Sequence, residues 1–126
     1  MKKATRAWVK KAEEDYTLAL AASKSSVPVH NGTCFHCQQC AEKYLKGLME
    51  ELGLSVPKTH NLQMLLIPLA SHHPALTSLR RGLIFLSNFA VETRYPGISA
   101  SKRQAVASLR WVSRIRILIR ANLGLK

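Results

Sequence analysis

Between Cys34 and Leu52 apolar residues recur every three or four positions, and that period constrains the fold more than any other feature of the chain. At about 100° per residue, Cys34, Cys37, Ala41, Tyr44, Leu45, Leu48 and Leu52 gather on one side of a helix. His36, Gln39, Lys43, Lys46 and Glu50 gather on the other side, three and four residues apart. Gly53 supplies a stop, and a short Pro57-Lys58-Thr59-His60 connector leads into the next element. One segment therefore carries both a core face and an ordered row of donors, cations and an imidazole.

The same period runs through the rest of the chain, with little alternation of the kind a strand would show. It predicts a first helix over about residues 4–23, with Trp8, Val9, Ala12, Tyr16, Ala19 and Leu20 on its apolar face. Asp15 lies at the edge of that face, where a carboxylate needs a hydrogen-bond partner. Residues 24–32 read as a loop and residues 33–52 as the second helix. Thr59 is placed to cap a short third helix carrying Leu62, Leu65, Leu66 and Leu69. Pro68 should kink that helix or end it early. Pro74 suits the first turn of a fourth helix, and Leu76, Leu79, Leu83, Leu86 and Ala90 continue its stripe to about residue 91. After a loop over residues 93–100, Ser99 or Ser101 can cap the last helix. Short connections join neighbouring helices, so the expectation is an all-α, up-and-down bundle of about five helices forming one domain over residues 1–126.

Charge is where the composition departs from an ordinary soluble domain. Nineteen Lys and Arg against seven acids give a net charge of +12, which favours anionic partners such as nucleic acid or nucleotides. After Glu92 no acid occurs, while Arg94, Lys102, Arg103, Arg110, Arg114, Arg116, Arg120 and Lys126 follow. Trp111, Val112, Ile115, Leu118 and Ile119 are interleaved with them at helical spacing, which makes the last helix basic and amphipathic. A core-packed helix explains it more simply than a membrane-surface one. The charged Met1-Lys2-Lys3 start lacks the apolar run of a secretory signal, and no run of 18 apolar residues could span a bilayer. Three cysteines without an obvious pairing suit a reducing compartment, so the cytoplasm is the expected location.

Several chemistries are disfavoured. Cys34-x-x-Cys37-x-x-Cys40 has the spacing of a metal motif, but it runs into a helix and lacks a fourth thiolate. Buried small hydrophobes account for these cysteines more economically, and neither a metal nor a cofactor is expected. Scattered glycines leave no phosphate loop or dinucleotide fingerprint, and no hydrolase elbow or metalloprotease helix occurs. The row His36, Gln39, Lys43 and Lys46 admits two readings, a solvated helix face or a surface for phosphate and base contacts. His60 is either a structural imidazole at a helix start or part of an anion site. Arg94 is either a strut pairing with Asp15 or Glu42, or a phosphate ligand.

Taken in order, Trp8, Ala12 and Asp15, then Phe35, His36, Gln39, Glu42-Lys43 and Lys46, then Lys58-Thr59-His60-Asn61-Leu62 and Arg94-Tyr95-Pro96, form a pattern that resembles the HEPN family of small helical bundles. The resemblance runs over roughly residues 4–121. It implies a dimer, often working with a small nucleotidyltransferase in a toxin–antitoxin-like system. It also implies a nucleotide- or RNA-binding accessory role, for which His36, Gln39, Lys43, Lys46, His60 and Arg94 are the candidate ligands. HEPN ribonucleases carry an Arg followed after four to six residues by a His. Here Arg94 is followed by YPGISASKRQ and no other Arg has a His at that spacing, so no catalytic residue is assigned. A diverged ribonuclease toxin and a protein-interaction scaffold are the alternatives.

Overall fold

A computed structural model describes residues 1–91 and 96–126. Its helices are α1 (Lys3–Lys24), α2 (His30–Glu51), α3 (Leu62–His72), α4 (Arg80–Ser87) and α5 (Lys102–Asn122), with a 3₁₀ turn over Pro74–Leu79 leading into α4. No strand occurs among the described residues, and the architecture is an all-α bundle. No helix among them is long and apolar enough to cross a membrane.

Helix α2 is the axis of the bundle. It packs against α1, α5, α3 and α4, and thirteen of its residues are buried against five in α1. Tyr44, Leu45, Leu48, Leu65, Leu69, Leu83, Leu86, Ile115 and Ile119 form the main core with Ala12 and Ala19. Burying each such large side chain contributes about 1.5–3 kcal/mol, so α2 organises the other elements around one apolar centre. A smaller cluster joins Cys34 to Phe89, Ala100 and Ala105 at one end.

Several element boundaries differ from the sequence expectation, each for a local reason. Helix α2 begins at His30 instead of residue 33, with the Thr33 hydroxyl donating to the Val29 carbonyl in its first turn (3.1 Å). The cap of α3 is Asn61, whose side-chain oxygen accepts from the Gln63 and Met64 amides. Thr59 instead accepts from the Asn61 amide and shapes the approach. Pro68 does not end α3, which continues to His72. The expected fourth helix is divided: the backbone amides of Leu76 and Arg80 donate to the carbonyls three residues back, at His73 and Thr77, the spacing of a 3₁₀ turn. Ser101 is the cap of α5, in a capping box with Gln104. Gly53 ends α2 at φ +73°, a conformation that glycine adopts without a side-chain clash.

Candidate functional site

Two buried carboxylates organise the polar side of α2. Asp15, on α1, is 6% exposed, and Glu42, on α2, is 4% exposed. Each binds one imidazole and one ammonium. His36 Nδ1–H donates to Asp15 Oδ1 at 2.8 Å and Lys43 Nζ to Oδ2 at 2.5 Å. His60 Nδ1–H donates to Glu42 Oε1 at 2.9 Å and Lys46 Nζ to Oε2 at 3.0 Å. Gln38, fully buried, donates to Glu42 Oε1 and to the His60 carbonyl, and Gln39 donates to Gln38 Oε1. Lys46 also lies 5.9 Å from the centre of the Trp8 ring.

The structure thus gathers five of the six candidate residues, His36, Gln39, Lys43, Lys46 and His60, into two neighbouring hydrogen-bonded clusters on α2. They do not form the single outward stripe that their spacing suggested. Lys46 is 7% exposed, because α1 and the segment leading into α3 cover the flanks of α2. Arg94, with Glu92, Thr93 and Tyr95, lies outside the described residues. The pairing proposed for it with Asp15 or Glu42 therefore has no described geometry, although both carboxylates already have other partners.

The ring tautomers follow from the chemistry of the partners. An ionised carboxylate can only accept, so both rings carry their proton on Nδ1 and the neutral ring keeps its lone pair on Nε2. Burial alone would raise the Glu42 carboxyl. Hydrogen bonds from His60, Gln38 and Lys46, with the Lys46 charge, instead hold it below the ordinary carboxylate value. Each carboxylate is balanced by one lysine, so with neutral imidazoles the network carries no net charge. What it offers a ligand is two oriented rings whose Nε2 has no protein partner among the described residues, one half-buried at His36 and one well exposed at His60.

A second network joins α1 to α5 and was not foreseen from the sequence. Arg116 clamps Glu13 through Nε (2.7 Å) and Nη2 (2.6 Å), Tyr44 donates its hydroxyl to the same carboxylate, and Arg120 donates to the Tyr44 oxygen at 3.1 Å. The Arg116 hydrogen bond is the main reason that the Glu13 carboxyl lies below its ordinary value. The Arg116 guanidinium also stacks on Tyr16, 4.6 Å from the ring centre. No sequence signal pairs residues so far apart along the chain.

Cys34, Cys37 and Cys40 are buried free thiols, and burial pushes all three above the ordinary thiol range. Cys34 accepts a hydrogen bond from the Ser108 hydroxyl. Among the described residues no group of three or more His, Cys, Asp or Glu side chains is placed to hold a metal ion. A thiol reagent at mildly alkaline pH should modify the native protein slowly and all three cysteines rapidly in denaturant. Fast stoichiometric labelling of the folded chain would contradict their burial.

A central helix with carboxylate-anchored polar clusters, inside an all-α bundle, defines the class of protein. The model of the HEPN domain matches residues 5–121, and the chain belongs to the HEPN family. Among solved structures, TT1696 from Thermus thermophilus superposes with a TM-score of 0.80 at 21% identity, covering 95% of this chain and 98% of its own. ST0689, described as an archaeal HEPN homologue, superposes with a TM-score of 0.75 at 27% identity, covering 96% and 98%. A search of curated proteins finds no significant match.

Proposed function

We propose that this protein is a HEPN accessory module of the cytoplasm that binds a nucleotide or RNA, acts as a homodimer and works with a small nucleotidyltransferase in a toxin–antitoxin-like system. The observation that carries the binding reading is the pair of imidazoles on α2 and its following connector. Each is held by Nδ1 on a buried carboxylate, with Nε2 left unbonded among the described residues. Rings fixed in this way lose little rotamer freedom on engaging a base edge, sugar hydroxyl or phosphate oxygen. Gln39 adds an amide, Lys43 a half-exposed ammonium, Lys46 holds Glu42 in place, and Arg94 is the remaining candidate ligand. The net charge of +12 supplies the attraction for an anion.

Calorimetry with ATP and with a short single-stranded RNA tests this reading. The double variant His36→Gln with His60→Gln should weaken nucleotide binding about tenfold, as expected for losing two hydrogen bonds of about 0.5–1.5 kcal/mol each. Unchanged affinity would remove the imidazoles from the site. Sedimentation should give a mass near twice 14.1 kDa, and a persistent monomer would reject the dimer. RNA should survive incubation with the protein and a chelator, whereas cleavage would favour the ribonuclease alternative.

A further inference from the structure

Eleven of the nineteen Lys and Arg lie after Gly53, where Glu92 is the only acid. Helices α3, α4 and α5 contain no Asp or Glu. At about 100° per residue the α5 arginines separate into two groups. Arg116 and Arg120 face α1, where Glu13 lies within 4 Å of both. Arg103, Arg110 and Arg114, seven and four residues apart, lie on the outward side of α5, opposite the buried Val112 and Ile119. All three are exposed, and none makes an ion pair or hydrogen bond among the described residues. On α4, Arg81 is exposed and directly precedes Gly82.

Trp111 lies in the middle of this group. Its indole rests on the α4 backbone at Gly82, so closely that a β-carbon there would be 2.2 Å from Cε3 and 2.3 Å from Cδ2. The Arg114 guanidinium lies over the ring, 5.1 Å from its centre. With the half-buried ring pinned from below, the exposed Arg114 guanidinium over it is a backed cationic plane on which a base can stack. Guanidinium planes stack on bases and bind phosphate oxygens, and sequence-tolerant strand binding combines such platforms with a cationic track.

We propose that the α4–α5 face, built from Arg81, Arg103, Arg110, Arg114 and Trp111, is a track for single-stranded nucleic acid, separate from the polar clusters on α2. A bilayer surface fits less well, because the indole is packed on α4 and cannot insert among lipids. An acidic protein would satisfy the arginines but leave the stacked platform unused. The α2 clusters, whose carboxylates balance their lysines, cannot supply this excess positive charge. The inference goes beyond the nucleotide site and can fail without it.

The test is fluorescence anisotropy of labelled single-stranded RNA and DNA of one mixed sequence, with the full chain. The triple variant Arg81→Gln, Arg110→Gln, Arg114→Gln should weaken both about tenfold and flatten the salt dependence by about two in slope, at about 0.7 per phosphate contact. Lys3→Gln with Lys10→Gln and Lys11→Gln removes equal charge from α1 and should cost no more than about threefold. Tryptophan emission should be quenched by the strand in Trp8→Phe and remain unquenched in Trp111→Phe. Three results each overturn the proposal: equal losses in the two triple variants, quenching that follows Trp8, or no strand binding by the wild type. Displacement of the strand by phosphatidylserine vesicles or by an acidic polypeptide, but not by unlabelled strand, would assign the face to those partners instead. ATP calorimetry on the α4–α5 triple variant keeps the two readings apart, because its nucleotide affinity should be unchanged.

Discussion

Glu42→Gln should lower stability by about 3–5 kcal/mol, the usual cost of removing one partner from a buried ion pair. The two side chains are 6% and 8% exposed, so the Lys46 ammonium left behind has little access to water. Glutamine keeps only one acceptor oxygen, so its NH2 group must face either Lys46 or the two donors His60 and Gln38. Lys46→Met should cost less, because Glu42 would keep His60 and Gln38 and the methionine can pack beside Trp8. Urea unfolding of both variants decides the order, and equal small losses would show that the pair contributes little. The effect also has a pH signature. The Glu42 carboxyl is depressed in the folded protein from an ordinary value of 4.5, so its contribution is complete above that pH. It is lost as pH falls through the lower folded value. Glu13 behaves in the same sense through Arg116. Stability should therefore fall less steeply with acid in Glu42→Gln than in the wild type, and the double variant with Glu13→Gln should be flatter still.

Gly82→Ala should destabilise the protein by about 3 kcal/mol, at the upper end of the usual cost of overpacking. The new methyl would lie inside contact distance of three ring atoms of Trp111. Neither the α4 backbone nor a ring packed against the core can yield that distance cheaply. The control separates this clash from an intrinsic effect on the helix. In a Trp111→Ala background the same substitution should become neutral or stabilising, since alanine exceeds glycine in a helix interior by about 1 kcal/mol. Thermal unfolding of the four proteins in this cycle measures the coupling, and an additive result would mean that the ring moves freely aside.

Local signals defined most helices because each has its own period and stop. The stripe from Cys34 to Leu52 and the glycine after it place α2 almost completely, and Ser101 with Gln104 marks the start of α5. Competition between neighbours of similar propensity was harder to read. Thr59 and Asn61 both suit a cap, and the choice fell to the residue whose side chain reaches the Gln63 and Met64 amides. Pro74 opens a 3₁₀ turn before α4, with backbone amides bonded three residues back, a choice that the leucine stripe does not reveal.

Residue chemistry and period determined the helical class, the core face of α2, the excess charge and the missing Arg–His pair, since all of these depend on types and spacings along one segment. Only tertiary packing decided what the candidate ligands touch. Glu42 and Lys46 are readable as an i, i+4 pair, but their burial depends on α1 and the connector to α3. The bond from His36 to Asp15, the clamp of Arg116 on Glu13 and the seating of Trp111 on Gly82 join distant parts of the chain. Helical phase says which residues share a side of one helix; which neighbour covers that side is settled when the helices pack.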